Sequence, residues 1–506
     1  MSAILRNLRK MQHRQPRAQL SMFCRGRSIG RNELFAYTNG HFLVDEQRQL
    51  NRPAGDEISR IATIEKMEGG FSKALLMKKE NEDEVIAKIS CRIAGPTHLT
   101  TASEVGVLQY VRNNTSIPAP RVLSWSSDSA NPDGAEYIIM EKAAGVPLFQ
   151  RWADMAEIEK LELIKNLTKL EAQLSSVQFP AYGGLYPRAD ACVQNFHTRI
   201  LDDSIDPSHS FCIGPSCERS FHIDPATDAQ SKGNFDQGPW NTISDFGISI
   251  AKRELSRISS KRSVGAFTFY RGNSRPAIIN SGQPTLWQTD LYMGNIYVAA
   301  NESSRIVSII DFQSISVLPR FLQTQWPIFL KPPHNYTKSF VQPTLPDGFD
   351  RLDEESKSLA KACEVSTYLE NRVAQDAMSV PRVFRELFIR CGEVPEVGVI
   401  SLRACLIEIF QNWVSLGFTT RCPFSFEEGE INTHQHQFKE YEAWHEVQHL
   451  ACEYLDTDAE GWVAPQLDIT EKQRQNRELL SIFIQRMDGE IPLDEARKMW
   501  PFLDEA

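Results

Sequence analysis

The sequence predicts an α+β fold of two lobes, a small N-terminal lobe with a five-stranded antiparallel sheet plus one helix and a larger, mostly helical C-terminal lobe. Three features predict it. Apolar and polar residues alternate through residues 61–89, and two more short apolar runs follow after a single stretch of helical spacing. Glycine and proline then break the pattern in EKAAGVPL, residues 141–148. Beyond Trp152 the apolar spacing is mostly that of helices.

The elements follow in order. IATIEKM, KALLMKK and VIAKI read as three strands in a meander, joined by the glycine turn at Gly69 and Gly70 and by the acidic tip ENEDE. Residues 100–113 carry apolar side chains at helical spacing behind a Thr or Ser N-cap, and Pro118 and Pro120 end that element. Residues 121–125 and 136–140 complete the sheet. A hinge at residues 141–148 leads to a long amphipathic helix over 153–177, and residues 186–245, rich in Gly, Pro, Ser and Asp, read as an irregular insertion beside a binding site. A hairpin over 296–300 and 305–310 delivers Asp311, and helices are expected over 357–378, 398–416, 434–455 and 471–488. The expected division is 1–32 presequence, 33–60 lead-in, 61–145 N-lobe, 146–345 C-lobe core and 346–506 helical remainder of the C-lobe.

Composition narrows the function. The chain of 506 residues has no apolar run long enough to span a bilayer, and its formal net charge of -10 argues against nucleic acid held by bulk electrostatics. Its ten cysteines are scattered singly, which reads as reduced thiols; the closest pair, Cys212 and Cys217, fits ordinary half-buried thiols better than a metal or redox site. Residues 1–31 carry eight Arg and Lys, and no acidic residue precedes Glu33. That composition matches a mitochondrial presequence, read by the import machinery and leading to the matrix; a disordered basic tail is the plainer alternative.

The chemistry-bearing residues come in a set. Phosphoryl transfer asks a protein mainly for positioning and for charge neutralisation. Gly69 and Gly70 could bring backbone amides to phosphates, although alone they read as a hairpin turn. Lys88, behind the apolar run VIA, is placed to leave the sheet toward a cleft, where Glu104 on the next helix is its candidate partner. In LWQTDLYMGNIYV, Asp290 and Asn295 stand five positions apart, one suited to an acceptor hydroxyl and the other to a metal ion. The hairpin then returns IIDF, whose Asp311 adds a second hard oxygen ligand suited to Mg²⁺.

These residues resemble the aminoglycoside phosphotransferase and choline kinase-like superfamily, which shares the protein-kinase-like fold. LWQTDLYMGNIYV and IIDFQ are similar to its H-x-D-x-x-x-x-N and I-D-[WF]-[EQ] motifs, and MEGGFSK, AGPTHLTTASEV, YIIMEK, FCIGPS and FLQTQWPIFL resemble a fungal mitochondrial branch. The resemblance runs from about Glu33 to Pro333 and weakens in the tail. It implies ATP and Mg²⁺ as cofactors and a small-molecule hydroxyl as acceptor. Lys88 would hold the nucleotide phosphates, Glu104 would orient it, Asp290 would be the catalytic carboxylate, Asn295 and Asp311 would be metal ligands, and Met140 and Glu141 would line the adenine-facing hinge. Two positions depart from the pattern: the motif His is Gln288, and Tyr292 stands where relatives often carry His. Gln can donate and accept as the scaffold His does, whereas the bulk of Tyr292 bears on acceptor entry. A pseudokinase serving as a mitochondrial interaction module is the alternative.

Other signals compete. HEVQH, residues 445–449, matches the zinc-protease motif with His434 and His436 upstream, yet no third downstream ligand stands out beyond Glu471, and an exposed helix face is the simpler reading. Trp326 and His334 could line an acceptor pocket or merely pack. Lys252, Arg253, Arg257, Lys261 and Arg262 could guide an anion, with a solvated helix face as the default.

Overall fold

The computed structural model describes residues 61–68, 71–91, 94–96, 98–131, 134–190, 196–218, 221, 236–259, 282–323, 327, 329, 348–354, 356–357, 360–361, 380–392, 400–457, 468–487 and 492–503. Gly69, Gly70, Trp326, His334 and the whole of the expected presequence lie outside these residues. The chain divides into two compact units, one built on Asp45–Met67 and Phe71–Ser425, the other on Phe426–Ala506.

Strands β1 (Ile61–Glu68), β2 (Ser72–Lys79) and β3 (Glu84–Ser90) are followed by helix α1 (Leu99–Asn114) and strands β4 (Val122–Ser126) and β5 (Tyr137–Glu141). They form the expected five-stranded antiparallel sheet in the order β1-β2-β3-β5-β4. Strand alternation sorts β3 cleanly. Val85 and Ala87 pack with Met77 on one face, while Ile86 turns to the other, toward Val105, Ile138 and Met140. Lys88 is in step with Ile86, so it is carried to the face that α1 covers.

Helix α1 departs from expectation at its start. Its N-cap is His98, with a left-handed φ of 66° and no capping side chain, and the Thr100 hydroxyl inside the first turn donates to Pro96 O at 2.9 Å. Burial explains why the missing cap is tolerated. Leu99–Leu108 are buried without exception, and Leu108 and Val111 join the main core of the unit.

The insertion is more regular than its composition suggests. After β6 (Val146–Pro147) and α2 (Glu157–Ser176), strands β7 (Gly184–Pro187), β8 (Arg199–Ile200) and β9 (Phe211–Gly214) build a small sheet in the order β7-β9-β8. Gly and Pro here serve close approach and strand ends, a use that strand propensity does not register. Gly106 of α1 lies against this sheet so tightly that a Cβ there would stand 2.5 Å from Leu185 O and 2.8 Å from Tyr186 Cα.

Helix α3 (Ile243–Ser259) precedes β10 (Pro284–Leu286), the hairpin β11 (Ile296–Ala299) and β12 (Glu302–Ile309), strand β13 (Val317–Pro319) and the short α4 (Arg320–Gln323). β6 joins the hairpin in the order β12-β11-β6, and β10 pairs with β13. Leu163 and Leu167 of α2, Ile296 and Val298 of β11, Ile309, Phe312 and Val317 share one core with α1. Helices α5 (Arg382–Gly392) and α6 (Ile400–Gln411) close an aromatic cluster around Phe246, Phe321 and Phe388. Arg253 of α3 corrects the solvated-face reading: it is 2% exposed, bonded to Glu254 at 2.6 Å and set over the Phe221 ring. Lys252 is exposed; Lys261, Arg262 and the Arg257 side chain lie outside the described residues.

The other unit contains α7 (Glu428–Leu455), α8 (Ile469–Met487) and α9 (Leu493–Met499). Val447, Leu455, Phe483, Met487 and Trp500 form its core, and the Asn476 amide ties Trp500 Nε1 and Phe502 O at 2.8 Å each. No helix among the described residues is long and apolar enough to cross a membrane.

An exposed helical glycine replaced by alanine normally gains about 1 kcal/mol. At Gly106 the backbone of β7 occupies the space, so Gly106→Ala should reverse the sign and lose about 1–3 kcal/mol, the range for overpacking a rigid contact. Chemical denaturation of the full chain measures it; an unchanged or raised midpoint would refute the tight helix-to-strand contact.

Candidate active site

Lys88 is the centre of the site. Its Nζ lies 2.6 Å from Glu104 Oε1 and 2.6 Å from Asp311 Oδ1, which confirms the expected strand-to-helix pair and adds the hairpin aspartate to it. Lys88 and Glu104 are 6% and 1% exposed, so neither charge finds water. Burial alone would push the Lys88 ammonium down; Asp311, then Glu104, outweigh it and hold the lysine above its ordinary range. Burial raises the Glu104 carboxyl against the pull of Lys88. One oxygen, Glu104 Oε2, is buried without a hydrogen-bond partner, so the contact with Lys88 carries nearly all the compensation for that carboxylate.

Gln288, at the position where the resembled motif carries histidine, bridges two backbone segments. Its Nε2 donates to Asp311 O at 2.9 Å, and its Oε1 accepts from Asp290 N at 3.1 Å. One amide therefore pins the backbones of both aspartates, the donor-plus-acceptor substitution that the sequence suggested. The Asp311 pin is needed because that residue adopts φ 62°, a left-handed backbone that costs a non-glycine residue about 1 kcal/mol or more.

Asn295, 1% exposed, directs its Nδ2 to Asp290 O at 3.0 Å and to Asp290 Oδ2 at 3.3 Å. Its amide oxygen remains the atom available to a cation. Backbone bonds hold this loop to the hairpin: Asn295 N donates to Tyr292 O, and Ile310 N to Asn295 O. Asp290 is exposed at the edge of the site, yet the protein packed around its carboxyl, then the nearby charge of Asp311, pushes it up to about 6. The two aspartates thus lie close enough to feel each other's charge.

Met140 and Glu141 end β5 beside β3, with Ile86 paired to Met140 and Val85 to Glu141. The Glu141 carboxylate is taken by Arg121, whose Nε stands 2.9 Å away, and its backbone N–H by Arg121 O. Of these two residues, Met140, 8% exposed, turns its apolar side chain to the α1 side of the sheet, beside Ile138 and Ile86. Ser90 and Thr101 also meet here with Gln313, the last residue of IIDFQ, and none of the three was given a role from sequence. The signal was available: Ser90 follows Lys88 by two on one strand face, and Thr101 precedes Glu104 by three on one helix face.

The residues fit a divalent cation and a polyphosphate by their chemistry. Two carboxylates and an amide oxygen are hard donors of the type Mg²⁺ prefers. Glu104, Asp290 and Asp311 against Lys88 leave the ionised cluster two negative charges in excess, the amount one divalent ion cancels. HEVQH lies within α7 of the other unit, and among the described residues no group of three or more His, Cys, Asp or Glu is disposed to hold a metal.

The site thus joins a strand lysine, a helix glutamate and an aspartate delivered by a hairpin. No family model matches the chain. Its sequence is 29% identical to a subtelomeric hrmA-associated cluster protein of Aspergillus fumigatus over 508 residues, 87% of this chain and 96% of that protein. It is similar to altered inheritance of mitochondria protein 9, mitochondrial, of Candida tropicalis, at 22% identity over 63% of this chain and 57% of that one. Among solved structures, a macrolide 2'-phosphotransferase of Brachybacterium faecium aligns with 73% of this chain and 96% of its own at 11% identity, with a TM-score of 0.31.

Removing the cation from a buried ion pair costs about 3–5 kcal/mol, because the partner charge is stranded. Lys88→Met should lose that order of stability, and more at pH 8 than at pH 5. Sign follows from Glu104: its native carboxyl binds a proton more tightly than the unfolded one, so the penalty grows as pH rises above about 4.5. Adding Glu104→Met should restore most of the loss. Urea unfolding at the two pH values tests this, and equal losses at both would show that Glu104 is not stranded.

Proposed function

We propose that this chain is an ATP-dependent phosphotransferase that moves the γ-phosphoryl group to a hydroxyl of a small molecule in mitochondria. The observation that carries this reading is the single ammonium shared by Glu104 and Asp311, with one glutamine fixing the backbones of Asp311 and Asp290. The names of the fungal relatives support the compartment. The Arg-rich N-terminus supports import to the matrix.

In the proposed reaction, a P–O bond of ATP breaks toward ADP as the acceptor oxygen forms a new P–O bond. Lys88 is held ready for the phosphates: Glu104 retains its ammonium while the contact with Asp311 is exchanged for phosphate. The Asp290 carboxylate accepts the hydrogen bond of the acceptor hydroxyl, orients its lone pair toward phosphorus and receives its proton. Asp311 and the Asn295 amide oxygen would hold Mg²⁺, which supplies neutralisation of the phosphate charge. Met140 would lie along the adenine.

A second reading, a pseudokinase serving as an interaction module, is favoured by the bulk of Tyr292 two residues after Asp290. The two readings separate at Asp290→Asn. For the enzyme, calorimetry with ATP and Mg²⁺ should show binding by wild type and variant alike, while phosphoryl turnover in a mitochondrial metabolite extract falls at least 100-fold in the variant, the scale of losing acid–base and positioning catalysis. Absence of nucleotide binding by wild type would sink the enzyme reading, and unchanged cellular function of the variant would leave the module.

The compartment has its own test. Full-length protein synthesised in vitro should enter isolated mitochondria and become protease-protected, and deletion of residues 1–32 should abolish import. Equal protection with and without them would refute the presequence.

A further inference from the structure

Asp311 is the first of three ties from the hairpin loop, two to β3 and one to the segment that follows it. Phe312, 1% exposed, and Ile315, 3% exposed, anchor that loop in the main core. Asp311, before the first anchor, and Gln313 and Ser314, between the two, face the other way. Asp311 meets Lys88, Gln313 Nε2 donates to Ser90 Oγ at 3.0 Å, and Ser314 Oγ donates to Ala94 O at 3.3 Å. Loop and strand therefore run in register, with steps of two residues at the first pair of ties. Thr101 Oγ1, on the same helix face as Glu104, reaches the same Ser90 oxygen at 3.5 Å.

A neutral set thus stands beside the ionic one: Ser90 beside Lys88, Thr101 beside Glu104, and Gln313 beside Asp311. The loop needs such a restraint, since Asp311 and Ser314 both adopt left-handed backbones, at φ 62° and 61°. Gln288 fixes only the carbonyl of the first. While Lys88 grips Asp311, the ionic contact itself restrains the loop. A lysine that turns toward phosphate releases that grip, and a neutral tie is then what keeps the Asp311 carboxylate in place.

We propose that Gln313 is a positioning residue that acts through Ser90 to hold the Asp311 carboxylate at the metal-binding edge of the cleft once Lys88 engages phosphate. This rests on the phosphotransferase reading, and it gives functions to two residues that touch neither nucleotide nor acceptor. Thr101 adds a helix contact to the same hydroxyl, which couples the tie to the element bearing Glu104.

The test uses the full chain, with Mg²⁺ and the non-hydrolysable analogue AMP-PNP followed by calorimetry, and amide hydrogen exchange over residues 309–316. Gln313→Ala and Ser90→Ala should each weaken Mg²⁺-dependent analogue binding about tenfold, the scale of one lost hydrogen bond, and leave Mg²⁺-free binding unchanged. The double variant should be no weaker than Ser90→Ala alone, because that change already breaks the Gln313 contact. Ser90→Thr, which keeps the hydroxyl, should bind far better than Ser90→Ala. Exchange of the loop should quicken in both alanine variants while that of α2 stays unchanged. Wild-type binding matched by the alanine variants, or losses that add in the double variant, would overturn the proposal. A wild type that binds no analogue would instead defeat the phosphotransferase reading, and loop exchange would still decide whether Gln313 restrains Asp311.

Discussion

The ammonium of Lys88 dictates more of this structure than any other group. A lysine that is 6% exposed cannot stay charged without close carboxylates, so a helix and a hairpin far apart in sequence must each deliver one to within 2.6 Å. Such an arrangement adds little net stability, since removing three charges from water offsets most of their attraction. Its yield is positional. A fixed ammonium next to a half-exposed aspartate is an electrostatic arrangement made before any ligand arrives, and a polyphosphate with its cation would find the charges already ordered.

That requirement explains the burial of α1. In a small lobe, a helix covering a sheet would ordinarily keep one wet face. Here Leu99–Leu108 are buried all round, one side against the sheet and the other against β7 of the insertion. Gly106 permits the second contact at backbone distance. The insertion therefore acts as the far wall that keeps Glu104 at its station.

Much of this was legible in sequence, for identifiable reasons. Alternation through β1–β3 and the apolar spacing of α1 name both element type and face, and Lys88 inherits its direction from Ile86 by strand parity alone. Gln288 was legible because its side chain offers the same two bonding functions as the residue it replaces. The insertion was not: its strands are two to four residues long, below the length at which periodicity speaks. His98 as a bare N-cap escaped because the helix is held by packing and needs no cap. Ser90 and Gln313 escaped for a different reason. Neutral hydrogen bonds between residues 223 positions apart leave no local pattern to read.

Cys217 shows how the wall and the triad are joined. Its thiol, fully buried just after β9, donates to Ser103 Oγ at 3.5 Å and lies 3.5 Å from Ser316 Oγ. Ser103 immediately precedes Glu104, and Ser316 closes the loop that begins at Asp311. Three segments that carry or brace the site thus converge on one sulfur. Burial pushes that thiol up, so it stays protonated and serves as a donor rather than a nucleophile. The geometry of the Lys88 cluster is consequently set from behind by neutral packing as well as from within by charge. Glu104 and Asp311 then keep their stations if one ionic contact is exchanged for a ligand, because the residues beside them are bound to the same wall.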